Sequence, residues 1–478
     1  MYLLRKNLFF VVFILLGIFF VSGCKTLEAP STPYQEWSTS DLDELQKSSG
    51  DTWATLRART LDTSKPLTLS VIMDIALQNN PSTKEAWHDA RVAEALQKQA
   101  ESKWYPQAGL TAELSRTKAN SSVSTAVEID KSDINPALEI TYLLFDFGGR
   151  KAAIEQEVQR TLAANFLFNQ AIQDVLLNVA TAYYTYYSSQ STYEAASSDV
   201  NDAKTALDAA QERFKSGLVT KLDVLQSQSD YDNSLYSLEE AKGKIKTSKA
   251  QLAITMGFTA DTDITIVEPS KNVPMDISEK DITSIIDDAL EKRPDIAALR
   301  ANVSASDAAV WTADSNLWPS FSLGASGQGD WHHNYNQIEN GHDENYVAYL
   351  QVSWAVFDGF NNINVKRAAQ EQVESDREKL VQAELSASAD IWTKYYDFKT
   401  AQRKLEFSKA FSLHADESYK LAFEGYNAGL KSILDLLQAQ SKLSEARSQL
   451  IDSEDELFIA FMNLVHATGS LHIEKDIK

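Results

Sequence analysis

The stretch RFKSGLVTKLDVLQSQ, residues 213–228, decides the fold, because a glycine-centred reversal separates two runs of residues that favour helices. A second stretch of the same design, GYNAGLKSILDLLQAQ, occupies residues 425–440. Gly429 follows Gly217 by 212 positions. Each stretch predicts a helical hairpin, and the regular offset predicts that one unit occurs twice in the chain.

Other residues that mark chain reversals recur at nearly the same offset. Asn80-Pro81 matches Arg293-Pro294, Tyr105-Pro106 matches Trp318-Pro319, Phe145-Asp146 matches Phe357-Asp358, and Gly257 matches Gly469. We therefore predict two repeats, over residues 67–257 and 283–469, joined by an equatorial segment at 258–282. A signal peptide over 1–23, an extended arm over 24–66 and a tail over 470–478 complete the predicted organisation.

The N-terminus has the pattern of a secretory leader. Arg5 and Lys6 precede an apolar run over Leu8–Val21, which is too short to span a bilayer comfortably. Val21-Ser22-Gly23-Cys24 resembles a bacterial lipobox, which predicts lipid attachment at Cys24 and no other cofactor. An ordinary cleaved signal with an incidental cysteine is the alternative. Removal of 1–23 would change the net charge from −22 to −24.

Composition excludes several classes of protein. A net charge of −22 argues against nucleic acid as a partner, because such proteins need a basic surface. A single cysteine excludes a disulfide framework and a cysteine-rich metal site. No Walker motif, zinc-protease motif, nucleophile elbow or convincing triad occurs, so we expect no enzymatic activity.

Two long helical arms follow from the placement of proline and glycine. No proline lies between Pro136 and Pro269, and none follows Pro319. A helix from Gly149 to Ser216 would be roughly 100 Å long. Its predicted coiled-coil seam is interrupted only by Ser189, and the seam residues are Ile172, Val175, Val179, Ala182, Tyr186, Tyr193, Ala196, Val200, Ala203, Leu207, Ala210 and Phe214.

Four short segments alternate apolar and polar residues, as membrane strands do. They are residues 107–114, 137–145, 320–328 and 346–357. The aromatic residues Trp104, Tyr105, Trp318 and Tyr346 lie near their ends, where an interfacial girdle would sit. Four strands cannot close a barrel, so membrane strands would require several copies of the chain, and three copies would give twelve strands. The alternative is a half-buried sheet on a soluble core.

Two aspartates and a cluster of histidines have ordinary structural explanations. Asp146 and Asp358 are predicted to be N-caps at strand-to-helix transitions. His332, His333, His342 and Asp343 are predicted to lie in a polar loop between strands. A solvated loop is the simpler interpretation, and a metal site is the alternative.

The duplicated motifs, with LLFDFGGR at 143–150 and VFDG at 356–359, resemble those of the TolC-type outer-membrane efflux family. This resemblance implies a mainly α-helical protein with a membrane β-barrel: a trimeric twelve-stranded barrel continuous with a long periplasmic coiled-coil barrel. It also implies an outer-membrane location, a periplasmic adaptor and an inner-membrane pump. The predicted acylated cysteine makes the chain most similar to the lipoprotein branch of this family, which serves RND pumps.

The resemblance also assigns roles at the hairpin tips. It implies adaptor contact at Gly217, Leu218, Gly429 and Leu430. It implies a periplasmic gate that involves Asp435, Gln438, Asp223, Tyr426 and Lys431, in which Tyr426 and Lys431 tie the second hairpin closed through hydrogen bonds and a salt bridge. For Asp223 and Asp435 the alternative is a purely structural role, since each stands three residues after a Thr or Ser and would complete a capping box at the start of the return helix. Gln438 occupies a position that is acidic in the family, so the implied acidic ring is weaker here. Two alternatives remain open: a type I protein-secretion conduit, and a periplasmic coiled-coil lipoprotein without a pore.

Overall fold

A computed structural model describes residues 52–61, 65–120, 128–269, 282–335 and 341–471. The chain divides into a unit up to Thr60 and a unit from Leu61 onward. In the first unit, the described residues include a short helix, α1, at Thr52–Arg57. The predicted leader, Cys24 and most of the predicted arm lie outside the described residues. Across these described ranges, no helix has the length and apolar character needed to cross a membrane.

The second unit is mainly helical and contains one four-stranded sheet. Its elements, in chain order, are α2 (Leu69–Asn79), α3 (Pro81–Glu101), β1 (Gln107–Asn120), β2 (Glu128–Phe145), α4 (Gly149–Lys215), α5 (Lys221–Thr255), α6 (Ile282–Lys292), α7 (Pro294–Ser315), β3 (Ser320–Asn334), β4 (Gly341–Ser353), α8 (Asn361–Asn427) and α9 (Ile433–Ala467). The same element order therefore occurs twice. Helices α4 and α8 each have 67 residues, and α5 and α9 each have 35.

The predicted seam of α4 is largely buried in the structure. Val175, Val179, Ala182 and Tyr186 belong to a core cluster that also includes residues of α2 and α5. Ser189, which interrupts the apolar pattern, is also buried: its Oγ donates to the Tyr186 carbonyl at 2.7 Å and lies 2.8 Å from Ser248 Oγ. The hydroxyl is therefore satisfied within the seam. The last predicted seam residue, Phe214, is exposed instead, because α4 ends one residue later.

The sheet has the order β1-β2-β3-β4, with every neighbouring pair antiparallel. Its register aligns apolar residues across all four strands. One such row is Leu110, Leu138, Gly327 and Tyr346. Leu110 is 77% exposed and Tyr346 is 76% exposed, so this apolar face is uncovered by the rest of the chain. The opposite face carries mainly polar residues, with Gln107, Thr141, Gly324 and Tyr349 in one row.

The strand limits predicted from sequence were wrong. Strands β1 and β3 continue well past the predicted ends, Leu114 and Gln328, because ladder pairing persists where the alternation of apolar and polar residues stops. Arg116 Nε lies 3.2 Å from Asp130 Oδ1 in this extension. Strand β4 instead ends at Ser353, before the predicted Phe357. Beyond it, the indole of Trp354 donates to the Leu317 carbonyl at 3.1 Å.

The polar loop predicted around the histidines is largely strand. His332 and His333 lie in β3, and His342 and Asp343 lie in β4. His342 stacks on Trp331, with ring centroids 4.4 Å apart, whereas His332 faces the opposite side of the sheet and pairs with Gly341. Strand alternation thus separates these side chains. Among the described residues, no group of three or more candidate ligands is arranged to hold a metal ion.

Both strand-to-helix junctions use the predicted aspartates, although neither occupies the N-cap position. Helix α4 is capped by Gly148, and Asp146 Oδ2 accepts from the amide of Arg150 at 2.5 Å. Similarly, Asp358 Oδ2 accepts from the amide of Asn362 at 2.9 Å. Each aspartate stands two positions before the N-cap residue, and its carboxylate accepts a hydrogen bond from an amide in the first turn of the helix. Their stabilising role matches the prediction, but their position does not.

Each junction turns through two residues with positive φ, one of which is a phenylalanine. Among the described residues, Phe147 (φ 50°) and Phe360 (φ 70°) are the non-glycine residues in this conformation. Gly148 and Gly359 are their glycine partners. The left-handed conformation costs a residue with a β-carbon about 1–2 kcal/mol. Phe147 and Phe360 therefore carry a backbone cost that glycine would avoid.

In both repeats, the residue that precedes the second short helix binds the end of the return helix in the same way. Asn80 Nδ2 donates to the Thr255 carbonyl at 2.8 Å, and Arg293 Nη1 donates to the Ala467 carbonyl at 3.0 Å. The glycines that follow have φ of 82° at Gly257 and 67° at Gly469. A β-carbon built on Gly257 would lie 2.6 Å from the Asn79 carbonyl oxygen. This glycine is required both by its backbone conformation and by a close approach.

We expect Gly257→Ala to lower the thermal unfolding midpoint more than Gly217→Ala. Both positions have positive φ, but a β-carbon on Gly217 meets nothing within 4 Å. Gly217→Ala should therefore cost only the left-handed penalty of about 1–2 kcal/mol. Gly257→Ala adds a backbone clash. Circular dichroism at increasing temperature would compare the two variants, and equal midpoints would contradict the expected difference.

Candidate functional site

The two hairpin tips are built alike. After α4, the Gly217 amide donates to the Phe214 carbonyl at 2.9 Å, and the Leu218 amide donates to the Arg213 carbonyl at 2.9 Å. After α8, the amides of Gly429 and Leu430 make the equivalent bonds, at 3.0 and 2.8 Å. These are the paired bonds of a helix end closed by a left-handed glycine. The closure leaves Leu218 67% exposed and Leu430 82% exposed.

Both return helices begin with a complete capping box. The Thr220 amide donates to Asp223 Oδ2 at 2.8 Å, and the Asp223 amide donates to Thr220 Oγ1 at 3.4 Å. Ser432 and Asp435 repeat the arrangement, at 3.0 and 3.2 Å. The amide and hydroxyl of Ser432 lower the pKa of the Asp435 carboxyl below its ordinary value of 3.8, and the Lys431 ammonium adds to the effect. Asp435 is therefore held as an exposed carboxylate.

The structure brings three predicted gate residues to one groove between α8 and α9. Lys431, Asp435 and Gln438 line this groove, whose volume is about 650 Å³. Its other lining residues, which sequence reasoning did not single out, are His414, Glu417, Ser418, Leu421, Ala422, Ala439 and Lys442. Charges of both signs thus flank an exposed leucine, Leu421. Asp223 lies on the other hairpin.

Lys431 folds back over its own hairpin. A β-carbon built on Gly425 would lie 2.8 Å from Lys431 Cγ, so the lysine stem occupies the space that glycine leaves. Within the described part of the chain, the salt bridges within 4.0 Å include none from Lys431. The predicted salt bridge of Lys431 across the gate stays a prediction.

Tyr426 lies beneath the tip and meets the other hairpin. It is 1% exposed, and burial raises the pKa of its hydroxyl. Arg213, from α4, donates from Nη1 to the Tyr426 carbonyl at 2.6 Å and to the Asn427 carbonyl at 3.1 Å. Its guanidinium carbon also lies 4.8 Å from the centroid of the Tyr426 ring. These carbonyls belong to the last turn of α8, where the helix dipole favours a cation.

Arg213 is a functional candidate that sequence reasoning missed. The repeat offset offered a signal, because the position 212 residues after Arg213 is Gly425. The two tips are therefore not equivalent. In the first hairpin an arginine reaches across to the second, whereas in the second a glycine makes room for Lys431 of the same hairpin. The contact is one-directional.

A partly buried ionic contact joins the hairpins farther from the tips. Arg447 of α9 lies 2.5 Å from Asp199 Oδ1 and 2.9 Å from Asp202 Oδ2 of α4. Gln440 Nε2 donates to Asp230 Oδ2 of α5 at 2.6 Å. Burial raises the pKa of both Asp202 and Asp230, although Arg447 and Gln440 respectively oppose the shift. Removing Arg447 would leave two partly buried carboxylates without their cation.

The family is identified by a match that covers both halves of the chain. The model of the family described as outer membrane efflux protein matches residues 72–257 and 285–470. The chain belongs to this family. This membership and the mainly helical fold with one four-stranded sheet make it an outer-membrane efflux channel protein. The recognition made from the duplicated tip and junction motifs is confirmed.

Individual relatives agree with this assignment over most of their length. The chain is 26% identical to protein CyaE of Bordetella pertussis over 410 residues, which are 85% of this chain and 84% of that protein. It is 23% identical to outer membrane protein TolC of Escherichia coli over 416 residues, 84% of this chain and 81% of that protein. The solved outer-membrane channel OprN has the same fold, with a TM-score of 0.74 at 19% identity, covering 94% of this chain and 99% of that one.

We expect Arg213→Ala to loosen the turn that ends α8. A hydrogen bond from a charged group contributes about 1.5–3 kcal/mol, so amides 428–431 should exchange with deuterium about tenfold faster or more. Arg213→Lys should recover part of the protection, because it keeps the charge but loses the planar fork. Arg403→Ala, which removes an exposed i,i+3 partner of Glu406, is the control. Unchanged exchange in Arg213→Ala would contradict the role assigned to Arg213.

Proposed function

We propose that three copies of this chain form an outer-membrane channel-tunnel that is the exit duct of a tripartite efflux system. The observation that carries the proposal is the exposed apolar face of the four-stranded sheet, attached to helices of 67 residues. A duplicated ancestral unit accounts for the repeated order of elements and for the twofold family match. The conduit is passive, and its periplasmic end opens on assembly with the other components.

Closure of the sheet supports a symmetric oligomer. Within the described residues, β1 and β4 are the edges of the sheet, and unpaired edge groups in hydrocarbon cost several kcal/mol each. Pairing the β4 of one copy with the β1 of the next satisfies every edge only when the ring closes. Three copies give twelve strands, which place the apolar face toward lipid and the polar face toward the lumen.

The hairpin tips supply the proposed docking end. Leu218 and Leu430 are exposed beside the reversing glycines, and apolar groups presented on rigid turns are suited to contact a partner. We propose that Gly217, Leu218, Gly429 and Leu430 contact a periplasmic adaptor, which couples the channel to an inner-membrane pump of the RND type. Lipid on Cys24 would anchor the chain in the outer membrane.

The groove residues supply the proposed gate. Repetition of Asp435 around three copies would give a ring of exposed carboxylates, and such rings favour cations and are blocked by polyvalent ones. Gln438 contributes no charge to this ring. Tyr426 and Lys431 would hold the second hairpin in its closed position, and Asp223 would lie at the gate on the first hairpin. Opening would then move that hairpin while the first hairpin stays in place.

The channel proposal is tested in planar lipid bilayers. We expect the purified trimer to give discrete ion-conductance steps, because the polar face of the sheet would line a water-filled lumen. The chain heated above its unfolding midpoint is the control for leakage. Absence of conductance, together with solubility of the delipidated protein in water, would support the non-pore lipoprotein alternative.

We expect Asp435→Ala to weaken block of that conductance by hexamminecobalt, because it removes the charged ring. The lowered pKa of Asp435 also predicts that block by this trivalent ion persists to lower pH in the native chain than in Ser432→Ala. A depressed carboxyl pKa keeps the group ionised as the pH falls toward the ordinary value, and Ser432→Ala removes one of the donors responsible. Block that is unchanged in Asp435→Ala would reject the acidic ring.

Partner capture separates efflux from secretion. Crosslinking in cells followed by purification should recover an adaptor together with an RND-type pump. Recovery of an ABC-type pump instead would favour the type I secretion alternative. Susceptibility testing of a deletion strain would then define the class of transported substrate.

A further inference from the structure

The polar face of the sheet carries one tyrosine within the described strands, Tyr349 of β4. Its neighbours in the row are small: Gly324 of β3 lies directly opposite it, and Thr141 of β2 lies beyond the glycine. Side chains of a strand ordinarily stand roughly perpendicular to the sheet. A tyrosine in that orientation would project from the polar face farther than its neighbours do.

Tyr349 does not stand away from the sheet. A β-carbon built on Gly324 would meet the Tyr349 ring at Cζ and would lie 2.5 Å from its Oη, so the ring occupies the space above the glycine. The hydroxyl continues past β3 and donates to Glu139 Oε1 of β2 at 3.3 Å. Neighbouring strands lie about 4.8 Å apart, so a hydroxyl that reaches from β4 to a side chain of β2 runs along the sheet. The ring is therefore folded against the polar face.

The first repeat contains the corresponding pair without a ring. At the offsets of the repeated motifs, 213 residues for β1 and β3 and 212 for β2 and β4, the counterparts of Gly324 and Tyr349 are Thr111 and Ala137. Thr111 and Ala137 also lie directly opposite each other. Both side chains are small, so neither has to fold aside. The tyrosine thus occurs where its partner across the sheet is a glycine, and the two together keep this face low.

The apolar face contains a matched pair in which the ring lies differently. Tyr346 lies opposite Gly327, and a β-carbon on Gly327 would be 3.2 Å from Tyr346 Cδ1. The Tyr346 hydroxyl donates to Glu344 of its own strand at 3.0 Å. An aromatic ring beside a strand glycine supports the pairing on either face. Of the two pairs, the one on the polar face sends its ring across a whole strand, which support of the pairing does not require.

We propose that Gly324 and Glu139 hold Tyr349 against the wall of the lumen, which makes Gly324 the residue that sets the width of the duct at this level. The inference rests on the proposed trimeric channel, in which this row occurs three times at one height. A β-carbon at position 324 would meet the far end of a flexible side chain, so the ring rather than the strand would move. Three rings would then turn toward the axis, and bulky solutes would be excluded before small ones.

Thiol reagents of graded size test this role in intact cells. Ser353→Cys places a thiol on the polar face of β4, two rows beyond Tyr349 toward the helices. Maleimides that carry polyethylene glycol chains of increasing length are added outside the cells. They reach the thiol through the barrel, whether or not the hairpin tips are open. The parent chain, whose single cysteine is Cys24, gives the background labelling.

We expect Gly324→Val to slow labelling by the longest reagents severalfold and to leave labelling by N-ethylmaleimide unchanged. Glu139→Ala, which releases the hydroxyl without adding bulk, should have a smaller effect in the same direction. Gly324→Val combined with Tyr349→Ala should restore the original size limit, because the ring is gone. Gly327→Val, on the apolar face, is the matched control for disturbed strand pairing and should leave the size limit unchanged.

The outcomes distinguish this inference from the channel proposal. If all reagents label Gly324→Val and Glu139→Ala as fast as the Ser353→Cys chain alone, Tyr349 does not set the width of the lumen and the channel stands. If Gly327→Val lowers the size limit as much as Gly324→Val, disturbed pairing is the cause and the inference is overturned. If the longer reagents label neither the Ser353→Cys chain nor its Tyr349→Ala variant, no open barrel exists and the channel proposal fails as well.

Discussion

Backbone pairing at the two edges of the sheet is the constraint on which the rest of the molecule depends. The four strands bond to one another in simple antiparallel order, which leaves the outer sides of β1 and β4 without partners in the described chain. The exposed apolar part of one face is unfavourable in water, and the open edges are unfavourable in lipid. In the proposed trimer, neighbouring copies of the chain would complete each other's sheet. The long helices would then share the symmetry of the sheet.

The helical part could be predicted well because its signals are local. Seam spacing, missing prolines and a single glycine at each reversal specify α4, α5, α8 and α9 without knowledge of tertiary contacts. Membrane strands are harder, because their alternation ends where the side chains leave the apolar layer while the hydrogen-bonded ladder continues. The histidines of β3 and β4 were assigned to a loop for this reason. The prediction treated polar residues as loop, whereas the backbone of these polar residues still pairs in the sheet.

The candidate site was predictable in part. The capping aspartates and reversing glycines recur at one offset, so their places at the tips were evident from the sequence. Arg213 was not, because its partners are main-chain carbonyls of a helix more than 200 positions away, and carbonyls carry no sequence signature. The strained phenylalanines were hidden for a similar reason. Positive φ is expected of glycine, and each of these residues stands beside a glycine that appeared sufficient for the turn.

The equal lengths of the paired helices restrict how such a chain can change. Helices α4 and α8 both contain 67 residues, and α5 and α9 both contain 35, so the two hairpins have arms of matching length. Lengthening the arms of one hairpin by seven residues would displace its tip by about 10 Å relative to the tip of the other hairpin. The tips stay level only if the same insertion or deletion occurs in all four helices. In the proposed channel, point substitutions would therefore let the arms diverge while the tips stay level, whereas a change in length would require matched changes in the other arms.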